Sequence, residues 1–200
     1  MNVQKEFLLR KLTLSGFSKN IVKAFSEVNR EEFVLKTDLP YAWSDIALPL
    51  GYNSTISQPY TIAFMLKLLE LENKQELKIL EIGSGCSYVL ALLNSMIPNS
   101  KLFGIELNEA VGNKSIEKLS GYQNIKILLM DGKNGLPEEA PFDRILVSAA
   151  YSSYPYQLTE QLKEGGIIVT PISYSISKIK KIGSACVQEE YPGFTFVPLL

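Results

Sequence analysis

The sequence predicts an α/β protein: a doubly wound, mostly parallel sheet with an antiparallel C-terminal edge, preceded by an N-terminal helical extension. Three observations carry this. From Leu77 onward, short apolar runs alternate with helix-like periodicity, the mark of successive strand–helix–strand units. One run, in Lys78-Ile-Leu-Glu-Ile82, breaks at Gly83-Ser84-Gly85 directly before a helical pattern. Beyond about residue 176 the helices vanish between strands, so the last strands must pair antiparallel.

In chain order, Phe7, Leu8 and Leu12, then Ile21, Val22, Phe25 and Val28, recur at helical spacing, and Ser15-Gly16 divides two short helices over residues 3–28. Residues 36–59 lack periodicity and hold Pro40, Pro49, Gly51 and Pro59; a loop this long in a compact domain is commonly functional. Ile62, Met65, Leu66 and Leu69 mark a helix over about 60–71. Strand 77–82, helix 87–96, strand 101–106, helix 108–120 and strand 124–130 follow. Strand 143–149, helix 155–163 and strand 166–171 come next, with Gly165-Gly166 as the helix stop. The tail reads as strands over 176–189 and 194–198 joined at Tyr191-Pro-Gly193. One domain is expected over 1–200: helices and a covering loop over 1–59, the sheet-based core over 60–200.

Composition narrows the function classes. The chain has 200 residues, 46% hydrophobic and 20% charged, as in soluble globular proteins. A net charge of −1 with no basic block argues against nucleic-acid binding, and Lys178, Lys180 and Lys181 read as a solvated strand face. No signal peptide or membrane-length apolar run is visible, so the cytoplasm, no membrane partner and a monomer are the expectations. Cys86 and Cys186 are too few for a disulfide framework or a metal site, and no metal is expected. There is no histidine, which excludes histidine-dependent triads and imidazole acid–base chemistry.

The glycine turn is the strand–turn–helix entry of a nucleotide-binding unit, where missing side chains let backbone approach a ligand. Glu106 ends the next strand about twenty residues further on, where a carboxylate can accept from ribose hydroxyls. Asp131-Gly132 ends the third strand in the same way.

This order of glycine turn, acidic strand tips and antiparallel tail resembles class I S-adenosylmethionine-dependent methyltransferases, a Rossmann-like fold. More narrowly, the chain resembles the protein-L-isoaspartate O-methyltransferase family over nearly its whole length. The specific match is Leu48-Pro-Leu-Gly-Tyr-Asn-Ser-Thr-Ile-Ser-Gln-Pro-Tyr60, with the family's Pro-Leu-x-x-Gly and Thr-Ile-Ser-Gln-Pro signature. Val28-Asn-Arg-Glu-Glu-Phe-Val34, Ala140 to Ala150, Gln161 to Gly166 and Phe196-Val-Pro-Leu199 also fit.

The resemblance implies methyl transfer from S-adenosyl-L-methionine to the α-carboxylate of L-isoaspartyl residues in damaged peptides or proteins. The ester then closes to a succinimide, which opens to aspartate or isoaspartate. A carboxylate is already anionic at neutral pH, so no general base is needed. By its place in the motif, Ser57 is the implied active-site serine, donating to the acceptor carboxylate; alternatively it caps the helix beginning near Pro59. The implied cofactor residues are Gly83 and Gly85 at the methionine and ribose side, Glu106 on the ribose, and Asp131 with Gly132 near the adenine. Thr55 and Ile56 are implied as backbone contacts. Glu81 either orients the turn or faces solvent. Asp45 fits the matched loop less well and receives no role.

Four departures stand out. Ser87 replaces a glycine that would permit close helix–strand contact, and Met130 replaces another. Ile172 to Ser177 looks shortened, and Tyr151 to Tyr156 differs from the usual Pro-rich turn. These keep other readings open: a carboxyl methyltransferase with a dedicated peptide substrate, a catalytically weakened S-adenosylmethionine-binding protein, or a small-molecule methyltransferase, against which Thr55 to Pro59 argues.

Overall fold

The computed structural model describes residues 2–74 and 76–199. Two N-terminal helices, α1 (Val3–Leu14) and α2 (Lys19–Glu27), are started by the side chains of Asn2 and Ser18, which accept from first-turn amides. A short 3₁₀ turn, Arg30–Phe33, precedes the expected long loop, which holds a second, Lys36–Tyr41, and an antiparallel hairpin of β1 (Leu48–Gly51) and β2 (Ser54–Ile56). Then come α3 (Pro59–Leu68), β3 (Lys78–Ile82), α4 (Tyr88–Met96), β4 (Lys101–Glu106), α5 (Glu109–Lys118), β5 (Ile125–Leu129) and β6 (Phe142–Val147). The chain closes with α6 (Tyr156–Glu160), β7 (Leu162–Ile172), β8 (Ser175–Ile182) and β9 (Ala185–Pro192).

Among the described residues the main sheet has the order β5-β4-β3-β6-β7-β8-β9, parallel from β5 through β7 and antiparallel from β7 to β9. Both faces are covered, as a parallel sheet requires. Ile79, Leu102 and Val169 pack with Ile21, Phe25, Leu66 and Leu93 of the helices on one side. Leu80, Ile82, Ile105 and Ile145 pack with Phe142 and Leu158 on the other. Chain order runs outward from β3 in both directions, so β3 and β6 border the topological switch point, where α/β sheets place ligands beyond the strand tips.

Two element boundaries differ from expectation. The helix read over 155–163 is only α6, and β7 starts at Leu162 rather than 166. Gly165, at φ 71°, kinks the strand instead of stopping a helix: Phe142 pairs with Leu162, then Arg144 with Ile167. Those unequal steps form a bulge. In the tail, the antiparallel edge is present but its turn is at Gly183-Ser184, not Tyr191-Pro-Gly193. Gly183 has φ 61°, the left-handed geometry a tight hairpin uses. Residues 194–198 form no strand; Pro198 bridges to Ala150 only.

Candidate active site

The glycine turn is built by three left-handed residues, Gly83 (φ 72°), Gly85 (φ 53°) and Ser87 (φ 62°), which turn the chain from β3 into α4. Glycine adopts this region without penalty; serine does not. The lost glycine therefore matters through backbone conformation, a stronger constraint than the helix–strand spacing expected from the sequence. The turn is pinned to its neighbours. Gly83 N and Ser84 N both donate to Ile105 O at 2.9 Å, and Gly85 N donates to Glu106 Oε2 at 2.8 Å. From α5, Ser115 Oγ donates to Gly85 O at 2.7 Å.

Two adjoining pockets open around this turn, sharing Thr55, Gly83, Gly85 and Ser148 in their walls. The larger is a cleft of about 480 Å³ bounded by Glu106, Leu107, Gly132 and the C-terminal Val197 to Leu199. The smaller, about 40 Å³, is lined by Ile56, Ser57, Glu81, Ser84 and Tyr88 among others. The site residues anticipated from sequence thus converge, with one exception. Asp131 is exposed, lines neither pocket, and accepts from Lys133 N at 2.9 Å. Its neighbour Gly132 does line the cleft, and a Cβ there would sit 2.6 Å from Ile82 Cγ2 and 3.1 Å from Ile105 Cγ2. Only glycine leaves that wall in place.

Glu81 does not face solvent. It lies within β3, 1% exposed, on the helix-covered side shared with Ile79. Its Oε1 accepts from Ser148 Oγ at 2.8 Å, while Oε2 is buried without a partner. Burial pushes its carboxyl up to about 8, against the hydrogen bond from Ser148, and the nearby Glu106 charge adds to the rise. Glu106 itself is 7% exposed, its two oxygens accepting from Gly85 N and Asn108 N, each at 2.8 Å. Each carboxylate oxygen keeps lone-pair capacity for a further donor.

Ser57 is half-buried in the segment between β2 and α3. It is not the cap of α3: the Ncap is Gln58, whose side chain makes no capping bond. Asp45, given no role from sequence, does that work. Its Oδ1 accepts from Tyr60 N at 2.8 Å, and its Oδ2 accepts from Gln58 Nε2 at 3.1 Å and Lys11 Nζ at 2.6 Å. Ser57 O accepts from Arg30 Nη2 at 2.9 Å. Ser148 was also missed; its signal was its place at the tip of β6, beside the glycine-turn strand. Desolvation pushes the Cys86 thiol up to about 11, so it is a neutral wall atom and no nucleophile.

The family model described as protein-L-isoaspartate(D-aspartate) O-methyltransferase matches residues 3–200. The chain belongs to this family. Among curated protein-L-isoaspartate O-methyltransferases, that of Thermosipho melanesiensis is 35% identical, with 92% of this chain and 96% of the relative covered. The Chlorobaculum tepidum enzyme is 38% identical over 98% of this chain and 93% of the relative. A solved protein-L-isoaspartate O-methyltransferase superposes with a TM-score of 0.87 at 30% identity, covering 97% of this chain and 65% of that one. A Plasmodium falciparum structure in complex with S-adenosyl-L-homocysteine shares the fold, with a TM-score of 0.87 at 23% identity and coverage of 100% and 99%.

Within this protein-L-isoaspartate O-methyltransferase family member, the donor set fits S-adenosylmethionine. The turn offers backbone at close approach, Glu81 offers a buried carboxylate oxygen with no partner to a cationic group, and Glu106 offers acceptors in the cleft wall. Among the described residues no cluster of potential metal ligands occurs.

Proposed function

We propose that the protein methylates the α-carboxylate of L-isoaspartyl residues in peptides and proteins, with Ser57 addressing the acceptor and the glycine-turn cleft holding S-adenosylmethionine. The observation that carries this reading is that Ser57 and the partnerless Glu81 oxygen line one small pocket contiguous with a cleft large enough for a nucleoside. When bound, S-adenosylmethionine supplies an electrophilic methyl group. Ser57 Oγ donates to one acceptor oxygen and leaves the other to attack; Ser57 needs no activation, and no histidine exists to give it. Glu81, once ionised, balances cationic charge, and Glu106 accepts from ribose hydroxyls while still fixing Gly85. Thr55 and Ile56 cover the cofactor through their backbone. The adenine end rests on Gly132, with Asp131 reaching it only by turning from Lys133 N. Alignment of nucleophile and methyl is the main contribution, and such positioning is worth several kcal/mol.

The chain is read as one methyltransferase domain, 1–59 covering and 60–200 forming the core. It is read as a cytoplasmic monomer with neither nucleic-acid nor membrane partners. The net charge of −1 with no basic block supports the lack of a nucleic-acid partner, and among the described residues no helix is long and apolar enough to cross a membrane. A narrower peptide range is favoured by one feature: β7 passes into β8 through Ser173-Tyr174 alone, leaving no enclosing loop at that edge.

The test pairs methyl-labelled S-adenosylmethionine with matched peptides bearing Asp or L-isoAsp at one position. Label on the isoAsp peptide alone is expected; calorimetric cofactor binding without label on either would overturn catalysis in favour of a binding protein. Varying the residues flanking isoAsp tests the narrower range. Ser57→Ala should lower kcat about 100-fold, the scale of losing one transition-state hydrogen-bond donor, with cofactor Kd unchanged. Equal loss in both would make Ser57 structural.

A further inference from the structure

Arg30 lies in a motif that the sequence match highlighted without a role. It opens the 3₁₀ turn Arg30–Phe33, and its whole side chain is buried, 0% exposed. The guanidinium carbon sits 5.1 Å above the Tyr88 ring centre, Nη2 donates to Ser57 O at 2.9 Å, and Nε and Nη1 have no partner. Among the described residues no carboxylate lies within ion-pairing distance of it. Its neighbours do not neutralise it either: burial raises both the Tyr88 hydroxyl and the Cys86 thiol, so both stay protonated. Asp45 acts on it only from beyond ion-pairing distance, and a buried cation without an ion pair is costly, since arginine does not shed its proton. With Nε and Nη1 unmet, an apolar side chain of similar volume would be less costly to bury, so stability alone does not account for it.

We propose that Arg30 is a positioning residue for the acceptor. It clamps the Ser57 peptide so that the hydroxyl faces the pocket, and its unneutralised charge draws the acceptor carboxylate to that hydroxyl. Asp45 holds the residues that follow Ser57, accepting from Gln58 Nε2 and Tyr60 N. The inference rests on the reading that Ser57 meets the acceptor. The clamp should appear in kcat and the charge in KM.

The experiment measures kcat and KM on an isoAsp peptide, calorimetric S-adenosylmethionine Kd, and Tm for Arg30→Met, Arg30→Lys, Ser57→Ala and the Arg30→Met/Ser57→Ala pair. Arg30→Met should keep its Tm and cofactor Kd but lose about 10- to 100-fold in kcat/KM, the scale of a displaced reacting group. Arg30→Lys retains charge without the planar fork, so KM should return towards the parent while kcat stays low. In the Ser57→Ala background, Arg30→Met should cost no further kcat, because its clamp acts through the missing hydroxyl. Proportional loss of Tm, cofactor affinity and activity, or multiplicative effects on kcat in the pair, would overturn the proposal and leave Arg30 structural. If Arg30→Met does not fold, the kcat–KM split in Arg30→Lys decides. A Ser57→Ala protein with full kcat would instead remove the Ser57 reading itself.

Discussion

Replacing Ser87 with glycine should make this protein more stable, against the usual direction for a glycine substitution. Ser87 sits at φ 62° and ψ 23°, before α4, and is 0% exposed with its hydroxyl unpartnered. Left-handed backbone costs a non-glycine residue about 1 kcal/mol. The orphaned hydroxyl costs about 1 kcal/mol more, at the low end for a buried polar group. Glycine returns about 0.5–1 kcal/mol of this through its freer unfolded chain. The net is a gain of about 1 kcal/mol, which for a domain of this size raises Tm by about 2–4 °C. Ser87→Ala separates the two contributions, since alanine keeps the strained φ but deletes the hydroxyl. Thermal unfolding followed by circular dichroism should place both variants above the parent, with glycine level with alanine or up to about 0.5 kcal/mol above it. If alanine exceeds glycine by glycine's full entropic cost of about 0.5–1 kcal/mol, backbone strain contributes nothing; if glycine falls below the parent, the reasoning is wrong.

Three other perturbations test the site. Glu81 has a folded-state pKa of about 8 against an ordinary 4.5, so the folded protein holds a proton the unfolded chain has released. This stabilises nothing above pH 8; its contribution is full below about pH 4.5 and is lost as pH rises towards 8. Glu81→Gln should therefore flatten the Tm–pH profile between pH 5 and 8, raise Tm at pH 8, and weaken S-adenosylmethionine binding by calorimetry. Asp45→Ala removes the acceptor for Tyr60 N and the partner of Lys11, and should lower stability by about 1–2 kcal/mol in urea unfolding. Gly132→Ala forces a methyl to 2.6 Å from Ile82, and should cost about 1–3 kcal/mol while weakening cofactor binding; an unchanged Tm would contradict the packing argument.

Where the sequence pattern could be read, and where it could not, follows from the range of the forces involved. Strand–helix alternation is local, and it placed β3 through β6 and the acidic tip at Glu106 within a residue or two. The turn at Gly183 was overlooked because Ser175–Ile182 and Ala185–Pro192 have one continuous strand-like composition, and only backbone geometry divides them. Gly165-Gly166 failed differently: a glycine pair breaks a helix or kinks a strand, and the pairing of β7 with β6 selects the kink. Glu81 was ambiguous only while the sheet was allowed a solvent face. Once helices cover both sides, every position of β3 after Lys78 is buried, the acid included. Asp131 lies outside both pocket walls, because an exposed loop residue past a strand tip has its direction set by the nearest free amide, here Lys133 N.

The same limit explains why Arg30 and Asp45 carried no signal: their partners lie 27 and 15 residues away, across the chain's least periodic stretch. What marks them, and the site, is a pattern visible only in three dimensions. Proteins pair nearly all their buried polar atoms, and an exception calls for an explanation. Among the described residues, the buried side-chain atoms without a partner belong to Arg30, Glu81, Ser84, Ser87 and Tyr88. Glu81, Ser84 and Tyr88 line the smaller pocket, Ser87 sits in its turn, and Arg30 stacks on Tyr88. Elsewhere the described fold satisfies its buried side chains, even the guanidinium of Arg144, whose three nitrogens reach backbone carbonyls. The unmet demand is therefore concentrated where cofactor and acceptor are proposed to meet. It includes one acid that burial keeps protonated and one cation without an ion-pair partner among the described residues. A site left short of partners in this way is prepared for charged ligands, and it puts the cost of that preparation where binding can offset it.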